Sequence, residues 1–175
     1  SEIMNHIMSG GSIVLNADDS FYNFHRKIAI RKKLKVYSFS LNKKSATVSL
    51  TSIKKEKTKF KVIININNQK KYFFISSNFE NNLKNLLAAI TVISIFKDVK
   101  NLNKNIFYNY QIPYGRGDIS KITINGKKIF LIDESYNSNP LSLKSSINNF
   151  DLIDSKNNKK HLILGDMLEL GRHSK

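Results

Sequence analysis

The sequence predicts an α/β protein, and three segments carry this prediction. Residues 12–39 read as strand, loop, helix and strand, an order that indicates parallel strands. Residues 46–76 contain segments that alternate or run apolar, which predicts a small antiparallel meander. Residues 119–132 read as two strands joined at Asn125-Gly126, a dipeptide typical of a tight hairpin. We therefore predict part of one α/β domain that includes the meander, followed by the start of another.

The first forty residues supply the parallel strands. Apolar residues at helical spacing end at Gly10-Gly11, and the short apolar run that follows suits a buried strand. Asp18 or Asp19 then supplies the N-cap of the next helix. In order, we predict a helix over residues 1–8, a strand over 12–16, a helix over 21–34 and a strand over 36–39.

The middle of the chain shows a different pattern. A charged run at residues 54–57 and a tight turn at residues 67–69 separate the predicted strands of the meander. The clearest helix follows, because apolar side chains from Leu83 to Ile95 make one broad face. In order, we predict strands over residues 46–53, 58–67 and 70–76, a helix over 82–96 and a shorter helix over 101–108.

Residues 112–117 interrupt this pattern with Pro113, Gly115 and Gly117, and we interpret them as a hinge between domains. Pro140 suits the first turn of a helix. Beyond the hinge we predict strands over 119–124 and 128–132, a helix over 140–152, a strand over 161–164 and a new helix after Gly165-Asp166.

The composition predicts a folded chain with a lysine-rich surface. Hydrophobic residues make up 41% of the chain, enough for a core. The net charge of +16 first suggests nucleic acid or an anionic membrane surface, but only four of the 29 basic residues are arginine. Dedicated readers of phosphates and bases favour arginine. We therefore interpret the lysines as a solvated surface and expect no nucleic-acid partner.

Several features that the sequence lacks narrow the class of protein further. The chain has no cysteine, no apolar run long enough for a membrane helix, and no signal-peptide features in its first nine residues. Its four histidines are unclustered and lack metal-ligand spacing. We expect a cytoplasmic monomer without membrane insertion and without a metal site among these residues.

Polar groups suited to a ligand follow one of the predicted strands. Asp133 and Glu134 stand at its carboxyl end, where α/β sheets bind ligands. Asn137 and Asn139, two residues apart, can present their amides to one cleft. An Asx-type turn that caps the following helix explains the same residues, and spacing alone does not decide between the two interpretations.

Four other residues, in three segments, fit ligand contact, and each segment has a structural alternative. Asp166 follows a strand and precedes a helix, where free backbone N–H groups favour anions, although a plain turn capped by Asp166 fits as well. Asn82 and Asn85 share one helical face, or they simply cap and solvate the helix start. Arg116 lies between two glycines in a segment that by itself indicates only a flexible turn.

Four of these stretches resemble motifs of the Mur ligase family. Residues 135–140, Ser-Tyr-Asn-Ser-Asn-Pro, resemble the signature Ser-Tyr-Asn-Ala-Asn-Pro that opens the family's C-terminal domain. Residues 165–171, Gly-Asp-Met-Leu-Glu-Leu-Gly, resemble a second stretch of that domain. Residues 81–89 resemble the family's His-Asn-Val-x-Asn-Ala-Leu-Ala-Ala helix, with Asn81 where histidine is usual. Residues 115–117 resemble its interdomain hinge.

The resemblance implies an ATP-dependent amide-bond ligase of peptidoglycan synthesis, and hence of cell-wall growth, cell shape and division. Residues 1–113 would be part of the central ATP-binding domain, and residues 114–175 part of the Rossmann-like C-terminal domain. The implied substrates are UDP-N-acetylmuramoyl-tripeptide and D-alanyl-D-alanine. ATP phosphorylates the tripeptide carboxylate, and the dipeptide amine then attacks the acyl phosphate.

The resemblance also assigns roles to residues of this sequence. It implies nucleotide contact for Asn82, Asn85, Arg116, Asp133 and Glu134. It implies dipeptide contact for Asn137, Asn139 and Asp166, so we expect the loops that carry them to line one cleft. The implied cofactors are ATP and Mg²⁺.

The sequence lacks the pattern G-x-x-x-x-G-K-[ST] that forms a phosphate loop. We therefore expect the phosphate loop and the Mg²⁺ ligands upstream, and no ligase activity from these residues alone. Two other functions remain open: a different Mur or folylpolyglutamate-type ligase, and a basic nucleic-acid-binding protein.

Overall fold

The computed structural model describes residues 2–76, 80–109, 113–155 and 159–167. Contacts divide the chain into two compact units, residues 1–110 and residues 111–175, which we describe separately.

The first unit contains one mixed five-stranded sheet in which the strands follow sequence order from one edge to the other. β1 and β2 are parallel, as are β2 and β3, whereas β3, β4 and β5 form an antiparallel meander. The α/β prediction and the meander are confirmed. The strands are β1 (Ser12–Asn16), β2 (Lys35–Ser40), β3 (Val48–Glu56), β4 (Lys59–Ile66) and β5 (Gln69–Ile75).

Helices cover β1 and β2 on one side of the sheet. α1 (Tyr22–Arg31) and a short 3-10 helix (Glu2–His6) pack there around buried Met4, Ala29 and Leu34. The predicted helix over residues 1–8 is confirmed for residues 2–6, where it is a 3-10 helix, whereas residues 7 and 8 lie outside it.

α2 (Glu80–Phe96) packs on the other side of the sheet and builds the main core. The apolar positions Leu83, Leu87 and Ile90 recur at helical spacing and are buried against inward side chains of the meander, including Val62 and Phe73. Burial of this helical face and of alternate strand residues is the main source of stability in this unit.

Residues 101–108 differ from the prediction of a helix. A 3-10 helix (Val99–Asn101) ends at the first of these residues, and residues 104–109 form turns. The Asn103 side chain accepts a hydrogen bond from the Asn105 N–H at 2.9 Å, which competes with helical hydrogen bonding. The Lys104 carbonyl instead accepts from the Phe74 N–H at the edge of β5, at 2.8 Å.

The second unit contains a two-stranded antiparallel hairpin, β6 (Asp118–Ile124) and β7 (Lys127–Asp133), and one helix, α3 (Pro140–Asp151). Asn125 and Gly126 both have positive φ, at 49° and 74°, as a tight hairpin turn requires. The predicted hairpin and helix are therefore confirmed. Among the residues that the structure describes, no helix is long and apolar enough to cross a membrane.

The predicted strand over residues 161–164 is wrong, because residues 159–167 carry no regular secondary structure. Ile163 is 92% exposed, so this apolar run neither pairs with β6 or β7 nor packs on α3. An apolar run forms a strand only where a sheet edge is available to pair with it, and the run itself does not supply that edge. The helix predicted after Asp166 falls mostly outside the described residues.

Candidate functional site

A turn at residues 113–117 docks on the chain that leaves β7. The Gly117 N–H donates to the Asp133 carbonyl at 2.7 Å, and the Tyr136 N–H donates to the Gly115 carbonyl at 3.0 Å. The Gly115 N–H donates to the Asp118 carboxylate at 2.7 Å, which closes the turn on itself. These three hydrogen bonds bring Arg116 beside Asp133 and Glu134, three of the predicted nucleotide contacts.

Glycine is required at two positions of this turn, 115 and 117. Gly115 and Gly117 have φ of 72° and 90°, a region that residues with a Cβ rarely adopt. A Cβ on Gly115 would also lie 2.9 Å from the backbone N and the Cβ of Tyr136, and one on Gly117 would lie 3.0 Å from the Glu134 carboxylate. The two glycines therefore permit the close approach of the turn to the strand end.

Arg116 is held by an aromatic side chain that the sequence analysis did not assign. Its Cζ lies 4.4 Å from the centroid of the Tyr136 ring, a cation–π contact that favours this placement of the guanidinium. Both side chains are exposed, and Tyr136 is exposed over 66% of its surface. The N–H groups of Arg116 can thus meet an anion while the ring restricts their orientation.

Asp133 ends β7 and Glu134 follows it, at the strand end on which the turn that carries Arg116 docks. The Ser135 side chain and the Ser135 N–H, the latter at 2.9 Å, donate hydrogen bonds that hold the pKa of Asp133 below its usual value. Asp133 is therefore ionised at neutral pH, and its backbone carbonyl also anchors Gly117. Glu134 is exposed and carries the carboxylate nearest to Gly117.

The two predicted dipeptide contacts in the next loop differ in their local roles. The Asn139 Oδ1 accepts from the N–H groups of Leu141 and Ser142 at 3.0 and 2.9 Å, and the Ser142 hydroxyl accepts from the Asn139 N–H. This capping box starts α3, as the structural interpretation of the sequence expected. Asn137 is exposed on the same loop, two residues before the cap.

Asp166 lies in the extended segment 159–167 and is exposed. A Cβ added to its neighbour Gly165 would meet no atom within 4 Å. Within the part of the chain that the structure describes, Asp166 forms no hydrogen bond that would hold it beside Asn137 or Asn139. The shared cleft of these loops stays a prediction.

In the first unit, Asn82 and Asn85 lie at the start of α2. This end of the helix is at the edge of the sheet where β1 and β2 end. β3 runs parallel to β2, and two antiparallel steps then give β5 the same direction. α2 follows β5, so its first turn lies at this carboxyl edge. Asn82 is half-buried and Asn85 is exposed. Such edges are where α/β sheets bind ligands.

A polar cluster that the sequence did not predict fixes the ends of β1 and β2. The Asp18 carboxylate accepts from the Ser40 hydroxyl and from the Leu41 N–H, each at 2.6 Å. The Ser40 oxygen in turn accepts from the N–H groups of Asn42 and Lys43 at 3.0 and 2.6 Å. Four donors are thus satisfied by two buried or half-buried side chains.

Burial raises the pKa of Asp18, but the hydrogen bonds from Ser40, Leu41 and Asn42 together outweigh burial, so the pKa lies below its usual value. The prediction that Asp18 or Asp19 caps α1 is therefore wrong, because the Asp18 carboxylate joins two strand ends and the N-cap position is Phe21. Asp19 instead accepts from the Phe21 N–H at 2.7 Å, and α1 begins without a side-chain cap.

The described residues contain no group of three or more histidine, aspartate or glutamate side chains that could hold a metal ion. The Asp133 carboxylate accepts hydrogen bonds from Ser135, and the Glu134 carboxylate is exposed. We therefore assign no Mg²⁺ ligand to either residue.

Comparison with known proteins identifies the protein family of this chain. The family described as Mur ligase middle domain matches residues 1–93, more than half of the 175 residues. The chain therefore belongs to the Mur ligase family. None of the curated proteins compared with the sequence matches it.

Within this family, the fold resembles that of MurF ligases. Crystal structure I of MurF from Acinetobacter baumannii gives a TM-score of 0.69 at 20% identity, covering 87% of this chain and 32% of that one. The MurF ligase of Thermotoga maritima in complex with ADP gives 0.66 at 17% identity, covering 85% and 32%.

A UDP-N-acetylmuramoyl-L-alanyl-D-glutamate–2,6-diaminopimelate ligase is less similar, with a TM-score of 0.52 at 16% identity over 81% of this chain and 28% of that one. The chain spans about a third of the length of the MurF structures, 32%. At these identities the likeness shows the fold.

Proposed function

We propose that this chain supplies part of the ATP-binding machinery of a ligase that adds D-alanyl-D-alanine to UDP-N-acetylmuramoyl-tripeptide. The observation that supports this most directly is the docked turn, which places Arg116 against Tyr136 and beside Asp133 and Glu134. Family membership supports the ligase class, and the motif at residues 135–140 supports the D-alanyl-D-alanine acceptor.

Each proposed nucleotide contact has a chemical reason. Arg116 presents planar donors suited to phosphate oxygens. The ionised Asp133 and the exposed Glu134 can accept hydrogen bonds from ribose hydroxyls. The amides of Asn82 and Asn85, each both donor and acceptor, suit an adenine edge. Asn82 and Asn85 belong to the first unit, whereas Arg116, Asp133 and Glu134 belong to the second, so each group is proposed on its own.

In the proposed reaction, the tripeptide carboxylate attacks the γ-phosphorus of ATP and releases ADP. The dipeptide amine then attacks the resulting acyl phosphate, loses a proton and releases inorganic phosphate. Positioning and charge stabilisation supply most of the rate of such phosphoryl transfers. We assign Asn137, Asn139 and Asp166 to the dipeptide, with the free Nδ2 of Asn139 as donor because its Oδ1 caps α3.

The proposal is tested by following backbone amide NMR signals of the chain during titration with ADP. We expect the signals of Gly115, Gly117 and Glu134 to shift, and Arg116→Ala to abolish these shifts. Lys121→Ala is the matched control, because Lys121 is an exposed cation on β6 that contacts Phe130 instead. Equal effects of the two variants, or no shift with ADP, would contradict the assignment.

A second titration tests the acceptor. D-alanyl-D-alanine is expected to shift the signals of Asn137 and Asn139, whereas L-alanyl-L-alanine at the same concentration is not. An acceptor typical of another family member, such as a diamino acid, producing the larger shifts would favour the alternative ligase.

A further inference from the structure

One side of the β3–β5 meander carries lysines and aromatic rings instead of an apolar surface. We call it the lysine–aromatic face and define it as Lys54, Lys59, Lys61, Lys70, Tyr72 and Phe74. Strand register puts these residues on one side, because Lys54 is opposite Lys61 and Lys61 is opposite Phe74, with Tyr72 and Lys70 following at intervals of two. The opposite side supplies Val62, Ile64 and Phe73 to the core.

The described helices leave this face uncovered. α2 packs on the other side of the sheet. The cluster that α1 builds on the same side as the face contains strand residues of β1 and β2 only, namely Ile13, Leu15 and Val36. The face is therefore the outer surface of the first unit beside α1.

The lysines are arranged on the rings. The Lys59 Nζ lies 3.6 Å from the centroid of Phe74, and the Lys61 Nζ lies 4.5 Å from that of Tyr72. The two rings meet edge to face at 5.6 Å. Phe74 is only 7% exposed beneath its lysine, whereas Tyr72 is 37% exposed. Two lysines of β4 thus lie over two neighbouring aromatic rings of β5.

The charges on this face do not balance. Four lysines share it with one carboxylate, Glu56, which is opposite Lys59. Lys54 and Lys61 are direct cross-strand neighbours, and like charges in that relation destabilise a sheet. A depression of about 460 Å³ continues the surface past Lys59 and is lined by Lys57 and Tyr108 among others. An anionic partner would relieve this repulsion.

We propose that the lysine–aromatic face binds single-stranded nucleic acid without sequence preference. A linear polyanion with planar groups fits a surface that combines cations and rings, since lysines neutralise phosphates while bases stack on aromatic side chains. On binding, Lys59 and Lys61 would turn from the rings to the phosphates, and bases would take their places. The face contains no arginine, so it lacks the residue type that most often reads bases.

Other polyanions fit the surface less well. A bilayer would require exposed apolar side chains that insert, whereas Phe74 is 7% exposed and Tyr72, at 37%, ends in a hydroxyl group. The bases of a duplex are paired and stacked within the helix, so they are not available to stack on Tyr72. The inference concerns the first unit alone and does not depend on the proposed ligase function. It differs from the expectation, made from composition, that nucleic acid is not a partner.

The test is fluorescence anisotropy of a labelled twelve-nucleotide oligothymidylate with the 175-residue chain at several KCl concentrations. We expect a Kd on the order of 10 µM at low salt and a slope of log K against log salt of about −3, from about −0.7 for each of the four lysines. The variant K59Q/K61Q is expected to bind about tenfold more weakly, with a slope reduced by about 1.4.

Two further variants separate this site from general charge. K27Q/K35Q makes the same charge change at exposed lysines of α1 and β2, and is expected to leave both affinity and slope unchanged. Tyr72→Leu is expected to weaken binding about tenfold with an unchanged slope, because stacking is lost and charge is kept. Circular dichroism establishes that each variant is folded before it is titrated.

Several results would overturn the inference. These are equal losses for K59Q/K61Q and K27Q/K35Q, equal affinity for a duplex of the same length, displacement of the oligonucleotide by an equal charge of polyglutamate, or binding to phosphatidylserine vesicles but not to the oligonucleotide. Absence of oligonucleotide binding at 20 mM KCl would overturn it directly.

Discussion

Asp18→Ala is expected to destabilise the first unit by about 3 kcal/mol at pH 7. The substitution removes two hydrogen bonds of 2.6 Å to a carboxylate, and each such charge-assisted bond contributes about 1.5–3 kcal/mol. We use the lower end of this range for each hydrogen bond, because Asp18 is only half-buried. The Leu41 N–H then has no acceptor, and the Ser40 hydroxyl must find another one.

Asp18→Asn is expected to cost about 2 kcal/mol although it keeps the side-chain shape. The Ser40 oxygen already accepts from Asn42 and Lys43, so its hydrogen must be donated to residue 18. If the asparagine amide at position 18 accepts from the Leu41 N–H through its oxygen, its NH₂ group points towards the Ser40 oxygen, which has no capacity left to accept. Asp19→Ala is the control, because Asp19 accepts one exposed hydrogen bond and its loss should cost less than about 1 kcal/mol.

The pH dependence follows from the lowered pKa of Asp18. Its folded-state pKa lies below the value of 3.8 in the unfolded chain, so its contribution is present above about pH 4 and is lost as the pH falls through the folded-state pKa. Urea unfolding followed at 222 nm should show a difference between the unaltered chain and Asp18→Ala that is full at pH 7 and smaller at pH 3. A difference of the same size at both values would refute the reasoning.

Three other outcomes are expected. Gly115→Ala should loosen the docked turn by about 2 kcal/mol or more and speed exchange of the Tyr136 N–H, whereas Gly126→Ala, with φ of 74° and no atom within 4 Å, should show only the backbone cost of about 1 kcal/mol. Asn139→Ala should destabilise α3 by about 1 kcal/mol in helix-sensitive circular dichroism, and Asn148→Ala should not. The 175-residue chain should not consume ATP with tripeptide and dipeptide substrates, because its sequence contains no phosphate loop; turnover by the purified chain would contradict this.

The sequence predicted those elements whose pattern is local. β1 has the predicted bounds, and the Asn125-Gly126 hairpin and the Pro140 helix start follow rules of turn and cap chemistry. Residues 161–164 show the limit of such rules. Their apolar run resembles a buried strand, but whether it pairs depends on a neighbouring strand edge that no local pattern reveals.

The candidate site was predictable as a set of residues and not as an arrangement. Arg116, Asp133 and Glu134 were named from motifs, but their proximity depends on two glycines with positive φ and on hydrogen bonds across sixteen or more residues of sequence. Tyr136 lay within the quoted motif without a role, because a cation–π contact has no sequence spacing of its own. Ser40 gave no signal, since serine at a strand end is common.

The Asp18 cluster also connects the strand ends to the proposed adenine contacts. Leu41, whose N–H the Asp18 carboxylate holds, packs against the same core cluster as Leu83 and Leu86 in the first turns of α2. Asn82 and Asn85 are adjacent to these leucines in sequence, so their positions depend on how firmly that core is packed. Asp18→Ala should therefore increase amide hydrogen exchange at residues 83–87 as well as at 40–43. Faster exchange confined to residues 40–43 would show that the strand-end loop and the start of α2 are independent.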